Sequence, residues 1–231
     1  MLKKKPSAIL FDLDGTIADT ALDLAATLNH LLSTSGRNEI HHDLIRNMVG
    51  EGARALIKKG YEYNGEILED QELEVLHDQY INYYQSHIAD KTVLFPGVIR
   101  MLDTIIKQNI PLAICTNKSD ELTHLLLKEL KIFNYFNAIT CGNSFPFKKP
   151  DPRHLISTCA LMKADPKGAI MVGDSINDIE AAKRAGMLSV GVSFGYTETP
   201  ITKLFPHLII NNFDEFFDSI NKLTPHTRVV R

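Results

Sequence analysis

The sequence predicts an α/β fold: a doubly wound parallel sheet with an all-helical segment inserted after its first strand. Three observations predict it. Short apolar runs bounded by turn residues recur along the chain, helical periodicity fills most of the gaps between them, and residues 17–93 carry helical periodicity alone.

The first apolar run is "AILF", residues 8–11, which reads as a buried parallel strand with apolar residues on both faces. Stripes at helical spacing follow: Leu24, Leu28, Leu31 and Leu32; then Ile45, Met48, Val49 and Leu56; then Leu73, Leu76, Tyr80, Tyr83 and His87. His41 and His42 read as a polar helix start. Pro96 and Gly97 mark the return to the alternating pattern. From there, strand-like runs at "PLAICT" (111–116), "NAITCG" (137–142), "AIMVGD" (169–174), "SVGVS" (189–193) and "HLIIN" (207–211) alternate with helical patterns. The helices are expected over 97–109, 120–131, 152–163, 177–186 and 213–223. The resulting division is a Rossmann-like core, 1–16 and 94–231, carrying a helical cap over 17–93.

A chain of 231 residues, 44% hydrophobic, can bury a core of this size, and a formal net charge of −3 offers no face to nucleic acid. The basic cluster Lys3–Lys5 reads as a solvated terminus. Asp12 interrupts the apolar run that follows it, so no signal peptide is expected, and no run approaches membrane-spanning length. A cytoplasmic location without a membrane partner is the expectation. Cys115, Cys141 and Cys159 are odd in number and lack metal-site spacing, which reads as reduced, buried thiols. A cysteine-based phosphatase needs an arginine at a fixed distance after its nucleophile. Glu121, Phe147 and Asp165 stand at that distance, which excludes this chemistry.

Where the first run ends, the chain places Asp12 and Asp14 two positions apart. The period of an extended backbone sends both carboxylates to one side, and Gly15 permits the turn that follows. Like charges so close destabilise a fold unless a cation or a shared proton relieves them. Ligands of open parallel sheets bind at the carboxyl ends of the strands. The candidates there are Asp12 and Asp14, Thr116 and Asn117, Lys148 and Lys149, and Asp174 and Asp178. Four carboxylates at one edge need more than one lysine, and an oxygen-only donor set of this kind suits Mg²⁺ in contact with a phosphate. The D-x-D-G stretch is not a calcium-binding EF-hand loop, since its glycine and its closing acid stand at the wrong positions. "GEGARA", residues 50–55, follows no apolar strand and reads as a turn between helices. Taken alone, Asp178 has the rival reading of a helix-start carboxylate, and Lys148 and Lys149 that of a solvated loop.

In order along the chain, "DLDGT", Thr116, Lys149 of "KKPDP" and "GDSINDIEAA" resemble the four motifs of the haloacid dehalogenase superfamily, in its phosphatase branch with a helical cap. "FDLDGTIADT", "VGEGA" and "VGDSINDIEAAKRAG" are similar to its phosphoglycolate phosphatase-like subgroup. The resemblance implies Mg²⁺-dependent hydrolysis of a small phosphorylated metabolite, 2-phosphoglycolate first. Asp12 would be the nucleophile, forming an aspartyl-phosphate, and Asp14 the acid and base. Thr116, Asn117 and Lys149 would hold the transferring group. Asp12, the Asp14 carbonyl and Asp174 would bind the metal, with Asp178 as a further ligand through water or as the partner of Lys149. The turn at Gly50 and Gly52, with Arg54, would receive the substrate carboxylate. Other sugar phosphates, nucleotides, pyrophosphate, a phosphosugar mutase and a phosphate sensor are the alternatives. A haloalkanoic dehalogenase is disfavoured because that branch lacks the second aspartate. The resemblance is compatible with a monomer or a homodimer.

Overall fold

The structure, a computed structural model, describes residues 5–196 and 198–222. Lys3, Lys4 and position 223 of the expected last helix lie outside the described residues. At its centre is β1 (Ile9–Phe11), three residues without solvent exposure. It pairs in parallel with β4 (Leu112–Cys115) on one side and β6 (Ile170–Gly173) on the other, Leu10 lying opposite both Ala113 and Met171. The sheet is completed by β5 (Ala138–Thr140), β7 (Leu188–Val192) and β8 (Leu208–Ile210), in the order β5-β4-β1-β6-β7-β8, every pairing parallel. A strand buried on both faces must be apolar throughout, which is what made these runs legible.

Four helices lie between β1 and the return marked by Pro96 and Gly97: α1 (Ala21–Thr34), α2 (His42–Arg46), α3 (Ala53–Tyr63) and α4 (Asp70–Ser86). The expected stripes bury Leu24, Leu28, Leu31, Leu32, Leu56, Leu73, Leu76 and Tyr80. On α4 the stripe continues through Tyr84 rather than Tyr83, four residues after Tyr80, and Tyr83 stacks between the rings of His30 and His87 at 3.8 and 4.1 Å. The sequence expectation of helices alone also misses a two-stranded antiparallel ribbon, β2 (Ala18–Asp19) with β3 (Val93–Leu94), at the point where the chain leaves and re-enters the core. Strands of two residues carry no readable period. Beside the ribbon, the buried Asp23 carboxylate of α1 accepts hydrogen bonds from the Lys91 and Thr92 amides and from the Thr92 hydroxyl at 2.7–3.0 Å.

The flanking helices are α5 (Val98–Lys107), α6 (Asp120–Glu129), α7 (Pro152–Leu161), α8 (Ile176–Ala185) and α9 (Phe216–Ile220). Asp151 caps α7 through the Arg153 amide, with Pro152 in the first helical position. The expected helix over 213–223 is broken: Asn212 accepts from the Glu215 amide and turns residues 213–215 into a tighter 3₁₀ turn before α9. The three cysteines are free and buried, as their number implied. No helix among the described residues is long and apolar enough to cross a membrane.

His154 on α7 is wholly buried, edge-on to Phe145, and neither ring nitrogen has a hydrogen-bond partner among the described residues. Burial, helped by the nearby Lys149 charge, lowers it from 6.5 to about 4. Between those values the unfolded chain holds the extra proton, so stability present at neutral pH is lost as pH falls toward 4. Replacing His154 by Phe should shrink the difference in urea-unfolding free energy between about pH 7 and about pH 4.5 by roughly 2 kcal/mol. An unchanged difference would contradict the buried neutral imidazole.

Candidate active site

Parallel pairing brings the ends of β1, β4 and β6 to one edge, and with them Asp12, Thr116 and Asp174. Asp12 Oδ1 accepts from the Leu13 amide at 2.8 Å and lies 2.9 Å from Lys149 Nζ. Lys149, 2% exposed, reaches Asp178 Oδ1 at 2.6 Å with the same ammonium. The other Asp178 oxygen accepts from the Ser175 amide and hydroxyl at 3.0 and 2.7 Å, closing a capping box on α8. Both alternatives for Asp178, helix cap and lysine partner, are therefore realised by one carboxylate. Asp174 accepts from the Thr16 hydroxyl and the Tyr196 amide at 3.0 and 2.8 Å.

Asp12, Asp174 and Asp178 are buried, and one oxygen of each lies within 4.8 Å of the others. Burial raises Asp12 to about 7, only partly offset by Lys149, with Asp178 and Asp14 adding repulsion. Burial likewise holds Asp174 well above the usual carboxylate range, with Asp178 and Asp12 adding to it. For Lys149, burial works against the charge, but Asp12 and Asp178 outweigh it and keep the ammonium above its ordinary value. Three hard oxygen donors short of positive charge fit a divalent cation of the magnesium type.

Asp14 lines the same cavity as Asp12, a space of about 860 Å³ between the sheet edge and the inserted helices. Its Oδ1 accepts from the Thr20 hydroxyl at 2.7 Å and from Lys118 Nζ at 3.0 Å. Thr116 and Asn117 also line the cavity. The Asn117 amide group donates to the Lys149 carbonyl at 3.0 Å and to the Gly50 carbonyl at 3.4 Å.

The turn 50–52 sits on this cavity, and the structure shows what its carbonyl groups do. The Gly50 carbonyl accepts from Asn117 and Asn177, and the Glu51 carbonyl accepts from Lys148 Nζ at 2.9 Å. Core side chains thus grip the carbonyl side of the turn, while Gly52, at φ +97°, opens α3 against the Asn117 carbonyl. Arg54 lines the cavity too, yet its guanidinium is taken by Glu74 of α4 at 2.7 and 2.6 Å. Arg54, which the sequence reading offered as a weaker anion partner, thus has a bidentate partner of its own on α4.

Sequence reasoning missed Lys118, Thr16, Thr20, Tyr84 and Tyr196. Lys118 stands one period of two beyond Thr116 at the end of β4, a signal that was present. Thr16 and Thr20 flank the glycine turn. Nothing local marks Tyr84 or Tyr196, which arrive from distant segments.

The sheet order, the insertion point and the acidic strand ends define a doubly wound α/β protein with carboxylates gathered at one edge of its core and a helical segment above them. Residues 9–192 match the family of haloacid dehalogenase-like hydrolases, and the chain belongs to that family. It is 41% identical to the phosphoglycolate phosphatase of Agrobacterium fabrum, over 88% of each chain. It is 39% identical to that of Caulobacter vibrioides, over 90% of this chain and 87% of the relative. The crystal structure of a predicted phosphoglycolate phosphatase from Haemophilus somnus superposes with a TM-score of 0.89 at 29% identity, covering 94% and 98% of the two chains. The protein is a phosphoric monoester hydrolase.

Gly15, at φ +80°, packs where a Cβ would overlap Asp174 Oδ2, whereas Gly36, at φ +75°, has open space around it. Gly15→Ala should therefore lose more unfolding free energy than Gly36→Ala, by on the order of 2 kcal/mol, because backbone strain is common to both and overpacking is not. Equal losses in urea titrations would show that Asp174 yields at no cost.

Proposed function

We propose that this enzyme hydrolyses 2-phosphoglycolate through an aspartyl-phosphate on Asp12. The observation that carries the reading is the Asp12–Lys149 ion pair at the end of the central strand, facing a cavity that also holds a second carboxylate, Asp14. The names of the relatives supply the substrate. An Asp12 oxygen attacks phosphorus and the bond to the ester oxygen breaks. Asp14 gives its proton to the departing alkoxide, then takes one from the water that attacks the aspartyl-phosphate, releasing inorganic phosphate and freeing Asp12. The Thr116 hydroxyl and the Asn117 backbone hold phosphoryl oxygens, and Lys149 offsets their charge while orienting Asp12. Asp178 fixes Lys149. A Mg²⁺ ion held by Asp12, the Asp14 carbonyl and Asp174, with Asp178 beside it, would supply Lewis-acid stabilisation of the phosphoryl charge.

Phosphate release should be fastest with 2-phosphoglycolate among small phosphomonoesters, and Asp12→Asn should abolish it while keeping the fold. Turnover of Asp12→Asn well above background would overturn the covalent route, and a clear preference for another ester would overturn the substrate.

The metal has a readout of its own. Saturation to about a hundred times the dissociation constant should stabilise the fold by about 2.7 kcal/mol, seen as a rise in melting temperature. Because Asp12 holds a proton up to about pH 7 and the metal must displace it, the rise should be larger at alkaline than at acid pH. Asp174→Asn should lose most of it. A rise that is the same in Asp174→Asn places the ion elsewhere.

A further inference from the structure

Besides the carboxylate cluster, two further groups of potential metal ligands occur among the described residues. His41, His42 and Asp43 are consecutive and all exposed, so a single stretch of surface chain supplies every donor. The other group joins two elements. Asp120 and His124 stand one turn apart on α6, Cys141 follows β5 directly, and one donor atom of each lies within 4.8 Å of the others.

The sheet produces this meeting. β4 and β5 pair in parallel, Cys115 opposite Thr140, so the chain that leaves β4 for α6 and the chain that leaves β5 emerge side by side. They are tied together: the Asp120 amide donates to Asn143 Oδ1 at 2.8 Å, and the Gly142 amide to the Lys118 carbonyl at 2.8 Å. The Cys141 amide donates to the Ser144 hydroxyl at 2.8 Å, and the Ser144 amide donates back to the Cys141 carbonyl at 3.0 Å. The thiol is buried, with the Thr123 and Ser144 hydroxyls and the Asp120 carboxylate as polar neighbours. His124 Nδ1 stands 3.2 Å from that carboxylate, and the imidazole packs 5.4 Å from the Phe133 ring. The Asp120 and His124 side chains are partly exposed, which leaves an entry path from solvent.

We propose that Asp120, His124 and Cys141 form a second metal site, for a thiophilic divalent cation of the zinc type, with water as the fourth ligand. Sulfur, nitrogen and carboxylate oxygen are the donors that zinc takes, and three protein ligands with an open fourth position are a recurring set. Donors of one zinc stand about 3.5 Å apart, and rotation of the partly exposed Asp120 and His124 closes the remaining distance. The donor set rejects magnesium, which takes oxygen ligands in an octahedron. On binding, the ion replaces the thiol proton, which passes to solvent, and the thiolate and carboxylate balance its two charges. Ser119, Gly142 and Asn143, chain neighbours of these ligands, line the central cavity, so an ion here clamps two segments of the cavity wall.

The probe is Co²⁺, added to the full chain with Mg²⁺ in excess. Cobalt on oxygen ligands alone gives no sulfur band, whereas cobalt on Cys141 should give a near-ultraviolet sulfur-to-metal charge-transfer band that saturates at one ion per chain. An equivalent of Zn²⁺ should bleach it. Cys141→Ser should abolish the band although Cys115 and Cys159 remain. His124→Ala should raise the Zn²⁺ dissociation constant by at least about 10-fold, since even the hydrogen-bond partners of ligands are worth that much. A wild-type protein without the sulfur band, or a band that survives Cys141→Ser, overturns the proposal. Should Cys141→Ser not fold, an unchanged Zn²⁺ dissociation constant in His124→Ala overturns it instead.

Discussion

The structure is organised around a charge deficit at one edge of its central sheet. Among the described residues, Asp12, Asp14, Asp174 and Asp178 pair there with Lys149 and Lys118 alone, four negative groups against two positive, and five of these six side chains are buried. Hydrogen bonds from Leu13, Thr16, Thr20, Ser175 and Tyr196 hold the carboxylates in place without neutralising them. Such a cluster is expensive to fold. The rest of the molecule supplies what keeps it together: a sheet buried on both faces, glycine turns that let Asp174 approach the Asp12 loop, and a helix start that clamps Asp178.

The inserted helices are not merely laid over this edge. Asn117 and Lys148, from two core loops, and Asn177, from the first turn of α8, hold the carbonyls of Gly50 and Glu51, and Tyr84 of α4 reaches down to Lys118. Every one of these contacts joins a group beside the carboxylate cluster to the segment above it.

How much of this could be read in the sequence follows from the range over which each signal acts. β1, β4 and β6 were legible because a doubly buried strand must be apolar along its whole length, and Asp12 and Asp174 stood out as charges directly after such runs. Lys149 was legible only through its place in the motif order. Asp178 was recognised without a choice between its two roles, since hydrogen bonds to Ser175 and Lys149 do not compete on one carboxylate. The pairing of Arg54 was not legible because its partner, Glu74, comes from another helix, and no local pattern announces a cross-helix pair. Tyr84 was displaced by Tyr83 because adjacent aromatics both fit a helical stripe within its tolerance. The ribbon of β2 and β3 was invisible, its two strands lying far apart in the chain and too short for any period.

That ribbon makes the helical segment a closed excursion. The chain departs along β2 and comes back along β3, the two are hydrogen-bonded neighbours, and Asp23 stitches the start of the excursion to its end. The sheet thus sees the same pair of anchor points whatever lies between them. Closure entropy grows only with the logarithm of loop length, about 0.6 kcal/mol per doubling. Helices can be lengthened, shortened or exchanged within this bracket at little thermodynamic cost to the core, and in such an architecture the inserted segment is free to diverge faster than the sheet that anchors it.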